Sequence, residues 1–357
     1  MKAPVVPILI GDLWTEPQVT RFTAVHQPSS GDVIARTPMC GAMDVGLAVV
    51  AGSEAYPAWS GAPVTARARV LFRYRELLEA HFEELGRLVC RENGKTIEEA
   101  RGDVRRGIEV VEFAAGIGHL AKGEMLPQLS EGIDATSTRE PLGVCAGITP
   151  FNFPAMVPMW MYPVAISCGN TFVLKLSEKV PSCGLRLTEL IHEAGLPAGV
   201  LNTIVGDKEA VDEILTNPQV RAISFVGSTP VGEYIYQEGS RNNKRVQALC
   251  GAKNHMIVMP DAVLEQSTDA IIGAAYGSAG ERCMAISVVI VVGDETADKL
   301  IESLKPKVAS LKIGAYDEPG VEMGPVISKQ SQEKILSYIE SGINEGAELK
   351  VDGRSEV

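Results

Sequence analysis

One cysteine in the sequence stands in a setting that suits a nucleophile. Cys283 closes the run Gly-Ser-Ala-Gly-Glu-Arg-Cys, which begins at Gly277. Glycines let a backbone approach a substrate closely, and backbone N–H groups near a thiolate can stabilise both the thiolate and a developing oxyanion. Most cysteines are simply buried apolar side chains, and we interpret the others in this way, with the exception of Cys250. Cys283 is therefore the candidate nucleophile.

A second segment could supply a donor to that oxyanion. The run Thr-Pro-Phe-Asn-Phe-Pro begins at Thr149, at the end of a strand predicted over Gly143–Thr149. The Asn152 amide could donate to an oxyanion while the two prolines stiffen the loop. An asparagine that only forms a turn accounts for this segment equally well.

Two more segments suit a nucleotide. Lys175–Lys179 lies at the predicted carboxyl end of a buried strand, where open α/β sheets bind ligands. Its Glu178 could accept ribose hydroxyls and would repel a 2′-phosphate, which favours NAD over NADP; a solvated charged loop is the alternative. Phe225–Gly232 turns from a strand into a helix, whose N-terminal N–H groups suit a phosphate. The alternative is that Gly-Ser-Thr in this run only caps the N-terminus of the helix.

Alternating strand and helix patterns predict the α/β fold that positions these segments. Turn-rich residues 1–55 predict hairpin strands, and apolar spacing near 3.6 predicts helices from Thr65 to about Ala121, interrupted at Asn93-Gly94. The strands predicted beyond residue 141 are Gly143–Thr149, Thr171–Leu176, Leu201–Val205, Ala222–Val226, His255–Met259 and Ser287–Val292. The helices predicted between and after them are Val157–Cys168, Ser182–Ala194, Lys208–Thr216, Val231–Ser240, Val263–Gly277 and Glu295–Ser310. Two α/β domains joined near 245–253 account for this order.

Composition excludes several classes of protein. The 357 residues are 45% hydrophobic and carry a net charge of −12. Proteins that bind nucleic acid through its phosphates need positive charge, so we expect no nucleic-acid partner. The longest apolar stretch, Ala155–Ile166, contains prolines and is shorter than the roughly 20 residues that cross a bilayer, so we expect no membrane partner. The seven cysteines form no CxxC or Cys/His cluster, which predicts reduced thiols in the cytoplasm and no metal site.

Taken together, the motifs resemble those of the aldehyde dehydrogenase superfamily. The matching runs between Thr149 and Cys283 are Phe-Asn-Phe-Pro, Lys-Leu-Ser-Glu, Phe-Val-Gly-Ser-Thr, Gly-Ala-Lys-Asn-His and Gly-Glu-Arg-Cys. Similarity continues through Arg101–Gly116 and Met323–Ser328. The resemblance implies a Rossmann-type NAD-binding domain and a second α/β catalytic domain. The implied boundaries are 1–121 and 142–248 for NAD binding, 122–141 for an oligomerisation hairpin and 249–357 for the catalytic domain.

The resemblance also implies roles for single residues. Cys283 would attack an aldehyde and Asn152, with the Cys283 N–H, would form the oxyanion hole; hydride would pass to NAD and leave a thioester. The cofactor-binding residues implied are Thr149, Phe151, Lys175, Glu178, Lys179, Ser228 and Cys250, the last of them close to the nicotinamide. We hypothesise that Cys250 also lies near Cys283, so that oxidation could join the two thiols.

One departure from the family pattern decides the predicted sub-class. Hydrolytic members carry a glutamate two residues before the first glycine of Glu-Leu-Gly-Gly-Lys, and this base activates water. Leu249 occupies that position here and cannot take a proton. The thioester should therefore persist until coenzyme A attacks, as in the methylmalonate-semialdehyde dehydrogenase branch that these motifs resemble. That branch converts methylmalonate and malonate semialdehydes to propionyl-CoA and acetyl-CoA with loss of CO2, in valine or inositol breakdown.

Two arginines match the substrate-binding arginines of that branch. The substrate carries a carboxylate beside its aldehyde, and a bidentate guanidinium is the natural partner of a carboxylate. Arg106 and Arg282 hold the matching positions. A solvated basic helix face is the alternative for Arg106, because Arg101 and Arg105 lie beside it.

The end of the sequence leaves alternatives open. The family continues beyond the position of Val357 with a Glu-x-Phe-Gly-Pro segment and a strand that pairs between subunits, which predicts an incomplete catalytic domain with an exposed sheet edge. The intact family assembles as homo-dimers or tetramers. A hydrolytic enzyme with another base, for which Glu281 is a candidate by proximity, is one alternative. An inactive fragment that binds NAD is the other.

Overall fold

The computed structural model describes residues 3–354, which form two compact units. The first unit contains the chain up to Val25, together with Val33–Val89 and Arg101–Cys250. The second contains His26–Asp32, Cys90–Ala100 and the chain from Gly251 onward. Within the described range no helix has the length and apolar character needed to cross a membrane.

Residues 3–354 form thirteen strands and eleven α-helices, numbered in chain order. The strands are β1 Ile8–Ile10, β2 Leu13–Thr15, β3 Phe22–His26, β4 Val33–Pro38, β5 Met125–Ser130, β6 Ile133–Thr136, β7 Val144–Ile148, β8 Thr171–Leu176, β9 Leu201–Val205, β10 Val220–Val226, β11 Arg245–Leu249, β12 Asn254–Val258 and β13 Ile286–Val291. The helices are α1 Ala42–Ser60, α2 Val64–Ala80, α3 Phe82–Asn93, α4 Ile97–Ala115, α5 Met156–Ser167, α6 Pro181–Glu193, α7 Lys208–Thr216, α8 Thr229–Arg241, α9 Leu264–Tyr276, α10 Asp294–Ala309 and α11 Lys329–Asn344.

The first unit is built on a seven-stranded sheet in the order β11-β10-β7-β8-β9-β1-β2. The five strands from β11 to β9 are parallel, and β1 and β2 add an antiparallel edge. Every residue of β7, β8 and β9 is buried, which explains their continuous apolar runs. The chain moves outward from β7 to β9 and then returns to the other side of β7. This reversal creates a switch point, and ligands of open α/β sheets bind at the carboxyl ends of the strands beside it.

The second unit has a smaller core. Strands β12 and β13 pair in parallel, and Val258, Ile271 and Leu300 bring β12, α9 and α10 together. Strand, helix, strand and helix alternate here as the sequence predicts.

The N-terminal prediction was wrong in part. Residues 42–55 belong to α1, and not to hairpin strands, although β1–β2 and β3–β4 are hairpin pairs. Helix α1 is apolar around much of its circumference and contains glycines, so it lacks the usual periodic signal. A Cβ on Gly52 would lie 3.3 Å from Thr171 Oγ1 on β8, which shows that this glycine permits close packing against the sheet.

Three other features were missed. The predicted helix through Phe82 is divided at His81 into α2 and α3. The predicted joint at 245–253 contains β11, and its exposed Arg245 and Leu249 are typical of a sheet edge. Helix α11 lies within a region where no helix was predicted.

Candidate active site

The carboxyl ends of β7 and β8 lie side by side and bring two of the predicted segments together. Thr149 N donates to Lys175 O at 3.1 Å, so the pairing of the two strands extends into the loops that follow them. Thr149 is buried. Lys179 Nζ lies 5.2 Å from the centre of the Phe151 ring, a cation–π contact that joins the two loops. These loops therefore present a shared surface at the switch point.

Lys175 and Glu178 form an ion pair at this edge. Lys175 is 5% exposed and its Nζ lies 3.6 Å from Glu178 Oε2. Burial lowers the pKa of Lys175, and the Glu178 carboxylate partly opposes that shift. Thr37 Oγ1 donates to Glu178 O at 2.8 Å and holds the loop backbone. The carboxylate is thus placed where a ribose hydroxyl could be accepted.

Helix α8 begins beside these loops, because β10 pairs with β7 through Phe225 and Ile148. Its N-cap, Ser228, is exposed, and the Ser228 side chain makes no capping hydrogen bond. The first N–H groups of a helix have no intrahelical acceptor and carry positive potential. The α8 N-terminus is therefore suited to a phosphate.

Cys250 follows β11 and packs toward the first turn of α8. A Cβ on Gly232 would come within 2.1 Å of Cys250 Sγ, and Cys250 borders the core between the sheet and helices α1, α7 and α8. This packing accounts for a small side chain at position 250. Its role beside a cofactor stays a prediction.

The Asn152 loop is anchored by a carboxylate that sequence analysis missed. Asp103 on α4 is 1% exposed, and its Oδ1 accepts a hydrogen bond of 2.7 Å from Met156 N, the first residue of α5. Helices α4 and α5 also approach closely at Gly107, where a Cβ would clash with Met159. The sequence signal that could have revealed Asp103 is an acidic residue on the apolar face of an amphipathic helix. The position of the half-buried Asn152 is thus tied to α4 at the start of α5.

Replacing Asp103 with alanine is expected to lower the free energy of unfolding by about 1–3 kcal/mol, because Met156 N would lose its acceptor in a buried site. Urea unfolding followed by circular dichroism would measure the change. Asp298→Ala, at an exposed position of α10, is the matched control and should shift stability by less than about 0.5 kcal/mol. An equal effect of the two substitutions would contradict the anchoring role.

Arg106 differs from its two neighbours on α4. Arg101 donates to Glu83 and Arg105 to Glu79, so both bind other helices. Arg106 instead contacts Glu109 on its own helix at 3.4 Å, and its side chain is 71% exposed. An exposed pair of this kind contributes little to stability. The Arg106 guanidinium therefore has no evident structural task that would prevent it from binding a carboxylate.

The loop before Cys283 has an unusual backbone. Ser278, Ala279 and Gly280 have φ values of 53°, 52° and 75°, three successive left-handed residues. For the two residues with a side chain this conformation costs roughly 1–2 kcal/mol each. Strain of this kind persists only where surrounding contacts impose it, and it clusters at functional sites.

Side chains of the second unit supply such contacts. Glu99 accepts a hydrogen bond from Ser278 N, and Asn254 Nδ2 donates to Cys283 O and Ala285 O, each at 2.9 Å. Cys283 itself is half-buried. Neither Glu99 nor Asn254 was recognised as a site residue from the sequence, since hydrogen bonds between distant segments leave no local pattern.

Glu281 and Arg282 are engaged within the same unit. Glu281 Oε2 accepts from Ile327 N at 3.1 Å, a structural use that weighs against Glu281 as a general base. Arg282 Nη1 donates to Gly273 O on α9 at 3.1 Å, and its side chain is exposed. Gly277 leaves room for this guanidinium, because a Cβ there would meet Nη1 at 2.3 Å.

Comparisons with known proteins identify the family of this chain. Residues 14–357 match the model of the aldehyde dehydrogenase family. The chain belongs to the aldehyde dehydrogenase family. This assignment makes the protein an oxidoreductase with the α/β fold described above, as the resemblance implied.

Two curated relatives of this aldehyde dehydrogenase are malonate-semialdehyde dehydrogenases. The one from Pseudomonas aeruginosa is 54% identical over 334 residues, which are 94% of this chain and 67% of that protein. The second, malonate-semialdehyde dehydrogenase 2 of Geobacillus thermodenitrificans, is 53% identical over 97% of this chain and 71% of its own length.

Two solved structures that are similar to this chain are described as methylmalonate-semialdehyde dehydrogenases. A Sinorhizobium meliloti protein described as a methylmalonate-semialdehyde dehydrogenase and solved with NAD superposes with a TM-score of 0.97 at 49% identity. The match covers 99% of this chain and 72% of that one. Methylmalonate-semialdehyde dehydrogenase from Oceanimonas doudoroffii gives 0.96 at 48% identity, over 98% of this chain and 72% of its own.

Proposed function

We propose that the protein oxidises malonate semialdehyde or methylmalonate semialdehyde with NAD and coenzyme A, giving acetyl-CoA or propionyl-CoA, CO2 and NADH. The identity of 54% to a malonate-semialdehyde dehydrogenase carries this proposal. Leu249, in place of the glutamate of hydrolytic members, supports transfer of the acyl group to a thiol rather than to water.

The fit of NAD rests on the carboxyl edge of the first unit's sheet. The Glu178 carboxylate and Lys175 ammonium would bind the adenosine ribose, and the open N-terminus of α8 at Ser228 would bind the pyrophosphate. Thr149, Phe151 and Lys179 line the same edge. When bound, NAD supplies the hydride acceptor. Glu178 would disfavour the 2′-phosphate of NADP, since both groups are anionic.

The protein's own groups carry the rest of the reaction. The Cys283 thiolate attacks the aldehyde carbon, and the Asn152 amide with the Cys283 N–H stabilises the resulting oxyanion. Collapse of this intermediate re-forms the C=O bond, expels hydride to the bound acceptor and leaves a thioester on Cys283. The β-carboxylate is lost as CO2, and the α-carbon takes a proton. The coenzyme A thiol then displaces Cys283 and forms the acyl-CoA.

The substrate carboxylate would bind Arg106 and Arg282. Arg106→Met is expected to raise KM for malonate semialdehyde by about 10–150-fold, because a hydrogen bond to a charged group contributes about 1.5–3 kcal/mol. KM for propanal, which has no carboxylate, should change by less than about threefold. Initial rates of NADH formation with coenzyme A would measure both.

Arg105→Met is the matched control for this experiment. Its guanidinium binds Glu79 at 3.0 Å and stacks 4.8 Å from the Phe82 ring centre, so its loss should affect stability rather than substrate choice. Equal changes in KM for the acidic and the uncharged aldehyde in Arg106→Met would contradict the assignment of this residue.

A further inference from the structure

The loop that ends in Cys283 is held after the cysteine by one amide. Asn254 is the first residue of β12, and its backbone pairs with Ile286 of β13. Its Nδ2 donates to the carbonyl oxygens of Cys283 and Ala285, each at 2.9 Å. Because an amide nitrogen has two N–H donors, this single side chain uses both, one to fix the Cys283–Met284 peptide and the other to fix the Ala285–Ile286 peptide.

The same loop is held before the cysteine by a carboxylate. Glu99 Oε2 accepts from Thr96 N at 3.0 Å, and Thr96 Oγ1 accepts from Glu99 N at 3.4 Å. This reciprocal capping box fixes the carboxylate at the start of α4. Its other oxygen, Oε1, accepts from Ser278 N, at the first of the three left-handed residues. Glu99 thus secures the strained backbone from which Cys283 extends.

We propose that Asn254 and Glu99 are positioning residues that orient Cys283 for attack on a carbonyl carbon. The inference rests on the proposed function in one respect, the assignment of Cys283 as the nucleophile. Small errors in placing a nucleophile beside its oxyanion donors reduce attack strongly. Neither side chain needs to touch the substrate for this effect.

Two reagents distinguish an effect on the position of the Cys283 thiol from an effect on its intrinsic reactivity. In the reaction with 4-nitrophenyl acetate, the thiolate forms a bond to the ester carbonyl carbon and 4-nitrophenolate leaves, so the carbonyl oxygen must reach its donors. In the reaction with iodoacetamide, a carbon–sulfur bond forms and iodide leaves, with no oxyanion to stabilise. Mass spectrometry locates both products on Cys283, and Cys283→Ala gives the background.

The informative substitutions are Asn254→Asp, which cannot donate, and Glu99→Gln, which has one oxygen for two N–H donors. Each should slow acylation of Cys283 by at least about tenfold and change alkylation by less than about threefold. In steady state kcat should fall, while KM for the semialdehyde and for NAD stays within about threefold. Asn254→Ala, which removes both donors without introducing a charge, should slow acylation to a similar extent.

Matched controls test the change of charge alone. Asn243→Asp and Glu265→Gln alter exposed residues by the same chemistry, and both should remain within about twofold of the wild-type protein. Unchanged acylation in Asn254→Asp and Glu99→Gln would overturn the proposal. An equal fall in acylation and alkylation would also overturn it, since the thiol itself would then be altered.

The outcome distinguishes this inference from the proposed function. Slower acylation in the variants, with no NADH formed from semialdehyde by the wild-type protein, would support the positioning role and contradict the semialdehyde activity. Failure of wild-type Cys283 to react with the ester would overturn the positioning role itself. If Asn254→Asp does not fold, Glu99→Gln and Asn254→Ala decide the question.

Discussion

Cys283→Ala should abolish NADH formation from malonate semialdehyde, with a fall in kcat of at least about 10⁴-fold, because no other group can form the thioester. The loss should be chemical rather than structural, since the side chain is half-buried and alanine leaves the two hydrogen bonds from Asn254 to the backbone in place. NAD binding, followed by quenching of tryptophan fluorescence, should persist.

Cys168→Ala is the matched control for this result. Cys168 is also half-buried, and burial raises the pKa of its thiol, which disfavours the reactive thiolate. This variant should retain wild-type kcat. Residual turnover in Cys283→Ala above about one part in 10⁴ of the wild-type rate would contradict the assignment of the nucleophile.

Leu249→Glu should create turnover that does not need coenzyme A. Leu249 lies at the carboxyl end of β11, and its carbonyl accepts from Gly227 N at 3.1 Å, so the backbone at this position is fixed. The side chain is 44% exposed, and a carboxylate there can remain hydrated. A positioned general base contributes about 10²–10⁴-fold, and NADH formation without coenzyme A should rise by at least about 10²-fold.

Leu249→Gln provides the control, because glutamine has the shape of glutamate without its basicity. It should show no such increase. Equal rates for the two variants without coenzyme A would mean that the residue at 249 does not decide between water and thiol as acceptor.

The buried central strands of the sheet could be predicted from sequence with little error. Thr171–Leu176 and Leu201–Val205 have the predicted bounds, since strands buried on both faces read as unbroken apolar runs between turns. Helix Lys208–Thr216 also matches its prediction. Helix α1 was missed because close packing against the sheet replaced part of its periodic pattern with glycine.

The candidate site also has parts that could be predicted from sequence and parts that could not. The motifs at strand ends could be found because the carboxyl edge of a parallel sheet is where such loops converge. The supporting contacts of Asp103 and Glu99 could not, because each joins segments more than 50 residues apart. The fixed position of Asn254 likewise depends on pairing between β12 and β13.

The most direct test is NADH formation from malonate semialdehyde and NAD by the wild-type chain, with and without coenzyme A. The proposal predicts sustained turnover only when coenzyme A is present, with one acetyl-CoA and one CO2 formed per NADH. Without coenzyme A it predicts at most one NADH for each Cys283, as the thioester accumulates. Sustained turnover to a free acid without coenzyme A, or no NADH from a folded protein that binds NAD, would contradict it.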